Sequence, residues 1–117
     1  MLSDEPATQP RLPMLILVSK YLPWRIHVFP QGDYVTVRDL TTTLYTALRV
    51  LVTPEEMKLV KGGTSVQQAF ARRVRGKGRE EARKGVRRVD FLLKNPRFVG
   101  IAETDDPKVW RICLAPA

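Results

Sequence analysis

Two helix-start signals in the first half of the chain constrain the fold more than any other feature. Thr36 is followed three positions later by Asp39, which is close to a capping box. Thr53 stands in the same relation to Glu56 and completes a full capping box. Apolar residues at helical spacing follow Thr36 up to Leu51 and form one stripe. The sequence therefore predicts a longer helix after Thr36 and a short one after Thr53.

A third helix start lies at Thr64 or Ser65, directly after a pair of glycines. Apolar residues then recur on one face, and three arginines are predicted to point away from it. The apolar residues are Val66, Phe70 and Val74, and the arginines are Arg72, Arg73 and Arg75. Glycines at positions 76 and 78 should break this helix, residues 79–84 resume it, and Gly85 is its expected end.

Strand-like stretches lie on both sides of the helices. Residues 14–18 are an apolar run. Residues 24–29 alternate, with Trp24, Ile26 and Val28 on one side and Arg25, His27 and Phe29 on the other. Residues 86–93, 97–102 and 109–114 are predicted as three further strands, and their short loops favour an antiparallel meander. This order predicts an α+β fold. We expect a four- to five-stranded antiparallel or mixed sheet with two to three helices packed on one face.

The chain is long enough for one domain, at 117 residues. Residues 1–13 hold acidic residues and three prolines and are predicted to be a flexible N-terminal lead-in. Residues 14–117 then form a single α+β domain. The stripe on residues 37–51 is expected to pack against Val89, Phe91, Trp110 and Ile112.

The positive charge is concentrated in one segment. Twenty basic and twelve acidic residues give the chain a net charge of +8, and residues 72–88 alone carry +7. A local cluster of this kind indicates an anionic partner more strongly than a diluted charge does. The predicted polyanion-binding residues are Arg72, Arg73, Arg75, Lys77, Arg79, Arg83, Lys84, Arg87 and Arg88.

Other site chemistries find little support in the composition. One Cys and one His exclude a disulfide framework or a His/Cys zinc cluster within one chain, and we predict no catalytic residue, metal or cofactor. His27 and Cys113 are the only conceivable thiol–imidazole pair, and Arg88 and Asp90 are expected to form an ion pair. No targeting signal, lipidation motif or membrane-spanning run is apparent, so we predict an intracellular location, cytoplasmic or nuclear.

Several short motifs together resemble a domain family of unknown function that is widespread in mushroom-forming fungi. They include Trp24 before an alternating strand, residues 36–40 and 52–56 at the two capped helices, residues 88–92, and residues 98–101 before a late Trp. The resemblance covers about residues 15–114. It implies a compact intracellular-type domain and supplies no catalytic or binding residues.

The basic segment thus carries the functional hypothesis. We predict a non-enzymatic binding module for RNA, DNA or another polyanion, since Arg and Lys neutralise phosphates and release counterions. The segment contains no aromatic residue, so contacts are expected to be electrostatic and poorly sequence-specific. The alternative is a protein–protein interaction or self-assembly module in which the basic segment is only a solvated surface.

Overall fold

The sheet has four strands. The computed structural model describes residues 4–60 and 62–116. Its strands are β1 (Leu15–Ser19), β2 (Leu22–Val28), β3 (Arg97–Glu103) and β4 (Val109–Ala115), in the order β2-β1-β4-β3. β1 pairs with β2 and β4 with β3 in antiparallel fashion, whereas β1 and β4 are parallel. The predicted α+β class and the mixed sheet are therefore confirmed.

Alternation along the strands separates a core face from an outer face. In β2, Leu22, Ile26 and Val28 are buried, whereas Arg25 and His27 are exposed. This agrees with the predicted alternation of residues 24–29, because successive side chains of a strand point to opposite faces. The buried side chains of the sheet join those of the helices in one hydrophobic core.

The first two helices begin where the capping signals place them. Helix α1 (Val37–Leu48) starts after Thr36, whose hydroxyl accepts the backbone N–H of Asp39 at 3.1 Å. The Asp39 carboxylate accepts the N–H of Thr36 in return, at 3.0 Å. Helix α2 (Pro54–Lys58) has the same reciprocal pair between Thr53 and Glu56. Both capping predictions are confirmed.

Helix α1 ends three residues before the predicted stripe does. Arg49 is its C-cap, and Leu51 is 43% exposed. The helix packs mainly on β2 and on the segment 88–92. The predicted packing of the stripe on Trp110 and Ile112 of β4 is not the main contact of this helix, because β2 is the strand that lies under it.

Helix α3 (Gly63–Val74) and helix α4 (Gly78–Lys84) are separated at the two predicted glycines. Val66 and Ala69 of α3 are buried, whereas α4 buries no residue. Gly85 ends α4 with φ +100°, a backbone conformation that favours glycine. The predicted break and the predicted end are both confirmed.

The strand predicted for residues 86–93 is wrong. Residues Arg88–Leu92 form a 3-10 helix, so the predicted three-strand meander is a single β3–β4 hairpin. The Asp90 carboxylate accepts the backbone N–H of Arg87 at 2.9 Å and fixes this turn, while Phe91 and Leu92 are both buried. Consecutive buried side chains suit a helical turn and contradict a half-buried strand.

The segment before β1 lies against the start of α1. The backbone of Ala7 donates to Val35, and the backbone of Val37 donates to Glu5. Residues 1–3 of the predicted lead-in lie outside the described residues, and the flexibility of the segment stays a prediction. Among the described residues, no helix is long and apolar enough to cross a membrane.

Candidate polyanion-binding surface

The nine predicted polyanion-binding residues fall into two groups. Six are exposed on the surface formed by the end of α3, the following turn and α4. We call them the cationic patch: Arg72, Arg75, Lys77, Arg79, Arg83 and Lys84. The other three, Arg73, Arg87 and Arg88, are turned towards the body of the protein.

The cationic patch owes its exposure to the way the chain folds around the two glycines. Gly76 and Gly78 both have positive φ, so the chain turns sharply between α3 and α4. Because α4 buries none of its residues, its basic side chains reach solvent. Residues 72–85 are all described, and Glu80 is the one exposed carboxylate among them. The six cations of the patch and Glu80 together carry a net charge of +5.

Arg73 is turned towards the body of the protein and its side chain is only 17% exposed, contrary to the prediction that it points away from the core. Its Nε donates to Asp90 Oδ1 at 2.7 Å, and its Nη2 donates to Asp90 Oδ2 at 3.1 Å. The same guanidinium contacts the Glu81 carboxylate and donates to the Gly85 carbonyl at 3.2 Å. The planar fork of Arg suits this bidentate geometry. Arg73 therefore ties α3 to α4 and to the 3-10 helix.

Arg87 completes an internal ion cluster with Arg73, Glu81 and Asp90. Its Nε donates to Glu81 Oε2 at 2.7 Å and its Nη2 to Glu81 Oε1 at 3.2 Å. The hydrogen bonds from Arg87 and Arg73 lower the pKa of Glu81 from 4.5 to about 2. The pKa of Arg73 is raised mainly by its hydrogen bonds to Asp90 and then by that to Glu81, and the pKa of Arg87 is raised by its hydrogen bonds to Glu81. Two cations face two carboxylates, so the cluster is neutral and contributes no charge to the patch.

Arg88 packs on an aromatic ring and does not pair with Asp90 as predicted. Its guanidinium carbon lies 4.4 Å from the centroid of the Trp24 ring, in cation–π geometry. Trp24 Nε1 donates to Glu56 Oε2 at 2.9 Å. The hydrogen bond from the backbone N–H of Thr53, followed by that from Trp24, lowers the pKa of Glu56. The predicted Arg–Asp clamp does exist at Asp90, but Arg73 supplies the arginine.

A cavity of about 550 Å³ opens beside the cationic patch. Its lining includes Lys77 of the patch, Tyr45 and Arg49 from the end of α1, and the inner residues Arg73 and Arg87. An adjacent cavity of about 510 Å³ has Arg72 and Lys94 in its lining. Sequence reasoning missed Arg49 and Lys94 because both lie outside the dense run of basic residues at 72–88. The fold therefore adds two cations at the margins of the patch.

The remaining predicted candidates do not assemble into a site. His27 lies on β2 and Cys113 on β4, and β1 separates the two strands. Asp39 is occupied in the capping box of α1, whose N-cap is Thr36. Within residues 4–60 and 62–116, no three His, Cys, Asp or Glu side chains gather where they could hold a metal ion.

Comparison with known proteins places the chain in a family. Residues 2–108 match a family of unknown function (DUF6699). The match spans most of the chain, so the protein belongs to this family. Neither the curated proteins nor the solved structures gave a match.

Proposed function

We propose that this protein is a non-enzymatic binding module for nucleic acid, RNA or DNA, and that it binds the phosphate backbone through the cationic patch. The observation that carries this proposal is the separation of the basic segment into two groups. Three arginines are engaged inside the fold, whereas six cations face solvent with a single neighbouring carboxylate. An exposed cation that has no internal partner is free to neutralise a phosphate.

The physical basis is the release of counterions. Each phosphate that a Lys or Arg neutralises frees condensed cations, so affinity falls steeply with salt concentration. Four of the six patch residues are Arg, which can contact a phosphate with two hydrogen bonds. Because these contacts carry no base information, we expect little sequence preference.

The two cavities at the margin of the patch support the same proposal. Lys77 and Arg49 lie in the lining of one, and Arg72 and Lys94 in that of the other. A phosphate at either margin would meet one cation of the patch and one from outside it, and the carboxylate in each lining, Glu81 or Asp90, is already paired with Arg73. Arg49 and Lys94 are therefore expected to extend the contact surface.

The test is a fluorescence-anisotropy titration with labelled duplex DNA and single-stranded RNA. The variant is Arg72→Glu/Arg75→Glu/Arg79→Glu, which changes three exposed patch residues and leaves Arg73 in place. The matched control is Lys20→Glu/Arg38→Glu/Lys58→Glu, which makes the same charge change at exposed residues elsewhere.

We expect the patch variant to lose at least tenfold more affinity for duplex DNA than the control variant does. Thermal unfolding of the patch variant should stay close to that of the wild type, because the changed side chains are exposed. Equal losses in the two variants would show that net charge alone decides binding, and no binding near 50 mM salt would refute the proposal.

A second candidate function is protein–protein interaction through a sheet edge, with the cationic patch only a solvated surface. The observation that favours it is the position of β2 and β3 at the two edges of the described sheet, where Val99 of β3 is 53% exposed. It predicts a dimer, or a partner that remains bound in high salt. A cytoplasmic or nuclear location belongs to both proposals.

A further inference from the structure

The outer face of the sheet is the second unassigned surface of this protein. The buried strand residues Leu15, Leu17 and Ile112 point to the core, and their neighbours in sequence point the other way. The outer face therefore carries Ile16 and Val18 of β1, which are half-buried and belong to no part of the core. No helix among the described residues packs on it.

Basic residues flank the apolar centre of this face. Ile16 pairs with His27 of β2, and Val18 pairs with Arg111 of β4. Arg25 lies two residues before His27 on the same side of β2, and both Arg25 and Arg111 are exposed. The described strand residues of this face include no carboxylate. Arginines therefore lie on both sides of β1, about 10 Å apart at the spacing of two strands.

An exposed aromatic ring lies at the end of the same row. Phe29 directly follows β2 and continues the alternation of Arg25 and His27, so it lies on the same face as they do. Phe29 is 65% exposed. Its ring stacks on that of His27, with centroids 6.4 Å apart and the ring planes at 15°. A flat, exposed ring pair next to arginines can stack on a nucleobase while the arginines contact phosphates. The cationic patch, in contrast, contains no aromatic residue.

We propose that the outer face of the sheet binds single-stranded nucleic acid, with Phe29 and His27 stacking on a base and Arg25 and Arg111 contacting phosphates. The charge of this face disfavours the same face of a second copy as its occupant, because the arginines would meet like charges. A duplex is a poor occupant too, since its bases are stacked on each other and cannot reach the ring. The proposal concerns a surface separate from the cationic patch.

The test compares two labelled probes of equal length, single-stranded oligo-dT and the same backbone with abasic residues. Phe29→Ala is expected to lower affinity for oligo-dT about 5- to 150-fold, the range measured for one stacked base. Its affinity for the abasic probe should stay at the wild-type value. Leu59→Ala is the control, because it removes an exposed apolar side chain, 87% exposed, at another place on the surface.

The arginines are tested by salt dependence. Arg25→Ala/Arg111→Ala should flatten the slope of log affinity against log salt by about 1.4 on oligo-dT, since a single strand contributes about 0.7 per phosphate contact. Phe29→Ala should leave that slope unchanged. An equal effect of Phe29→Ala on both probes, or tighter binding of poly-glutamate than of oligo-dT, would overturn the proposal.

The same titrations separate this proposal from that for the cationic patch. Loss of duplex binding in the patch variant concerns the patch alone. Retention of oligo-dT binding in Phe29→Ala, with duplex binding intact, overturns only the sheet-face proposal. If Phe29→Ala loses oligo-dT binding while the patch variant binds duplex DNA and oligo-dT as the wild type does, only the patch proposal is overturned.

Discussion

Replacement of Arg73 by alanine should destabilise the fold, although the residue belongs to a segment rich in solvated arginines. Its guanidinium makes two hydrogen bonds to Asp90, contacts Glu81 and donates to the Gly85 carbonyl. The Asp90 side chain is 2% exposed, so loss of Arg73 leaves a buried carboxylate without the cation that compensates its charge. Only the backbone N–H of Arg87 would remain on that carboxylate.

The expected size of the effect follows from this burial. Removal of one partner from a buried ion pair costs about 3–5 kcal/mol, because it leaves an uncompensated charge. Arg73 itself keeps 17% of its side-chain exposure, so we expect the lower end, about 3 kcal/mol. For 117 residues the entropy of unfolding is about 0.25 kcal/mol/K, so the melting temperature should fall by about 12 °C.

Urea unfolding followed by circular dichroism measures this loss. Arg72→Ala is the matched control, because it removes a neighbouring, exposed arginine of the same helix and should cost less than about 0.5 kcal/mol. An unchanged slope of free energy against urea would show that the unfolded state is the same in both variants. If Arg73→Ala is no less stable than Arg72→Ala, the internal ion cluster does not hold α3 to the 3-10 helix.

Three further predictions concern the same region. The pKa of Glu81 is lowered from 4.5 to about 2, so its contribution to the free energy of unfolding is complete above about pH 4.5 and is lost as the pH falls towards 2. Glu81→Gln should therefore lose less stability than the wild type over that range. Urea unfolding at a series of pH values measures the difference. Gly85→Ala should cost about 1–3 kcal/mol, because φ +100° is strained for any residue with a Cβ, whereas Gly32→Ala, with open space around it, should be nearly neutral in the same assay. Arg88→Ala should lower the free energy of unfolding by about 0.5–1 kcal/mol through loss of the cation–π contact with Trp24, and an unchanged value would contradict that contact.

Local signals in the sequence predicted the local structure well. Thr36 and Thr53 mark helix starts because the capping box depends on residues only three positions apart. Gly85 marks a helix end because its positive φ is a property of one residue. The alternation in β2 is equally local, since each side chain points away from the one before it.

Non-local contacts explain why the burial of Arg73 and the pairing of β1 with β4 were not predicted, whereas a competing local signal explains the wrong strand. Nothing in the sequence near Arg73 shows that it forms an ion pair with Asp90, seventeen positions later. The alternation of Val89, Phe91 and Leu93 resembles a strand, yet the side chain of Asp90 bonds back to the Arg87 backbone and closes a helical turn there. The parallel pairing of β1 with β4 joins strands from opposite ends of the chain and has no local signal.

The same distinction applies to the candidate surface. Charge density along the sequence located the basic segment, but only the fold separates its six solvent-facing cations from the three that are engaged inside. It also brings Arg49 and Lys94 to the margins of the patch, which no spacing along the chain indicates.

The salt dependence of duplex DNA binding by the wild-type protein tests the central claim most directly. If the cationic patch contacts about five phosphates, the slope of log affinity against log salt should be near −4.5. Affinity should then fall several-hundred-fold between about 50 and 200 mM salt. A slope near zero, or no measurable binding at about 50 mM, would contradict the account and leave the cationic patch as a solvated surface.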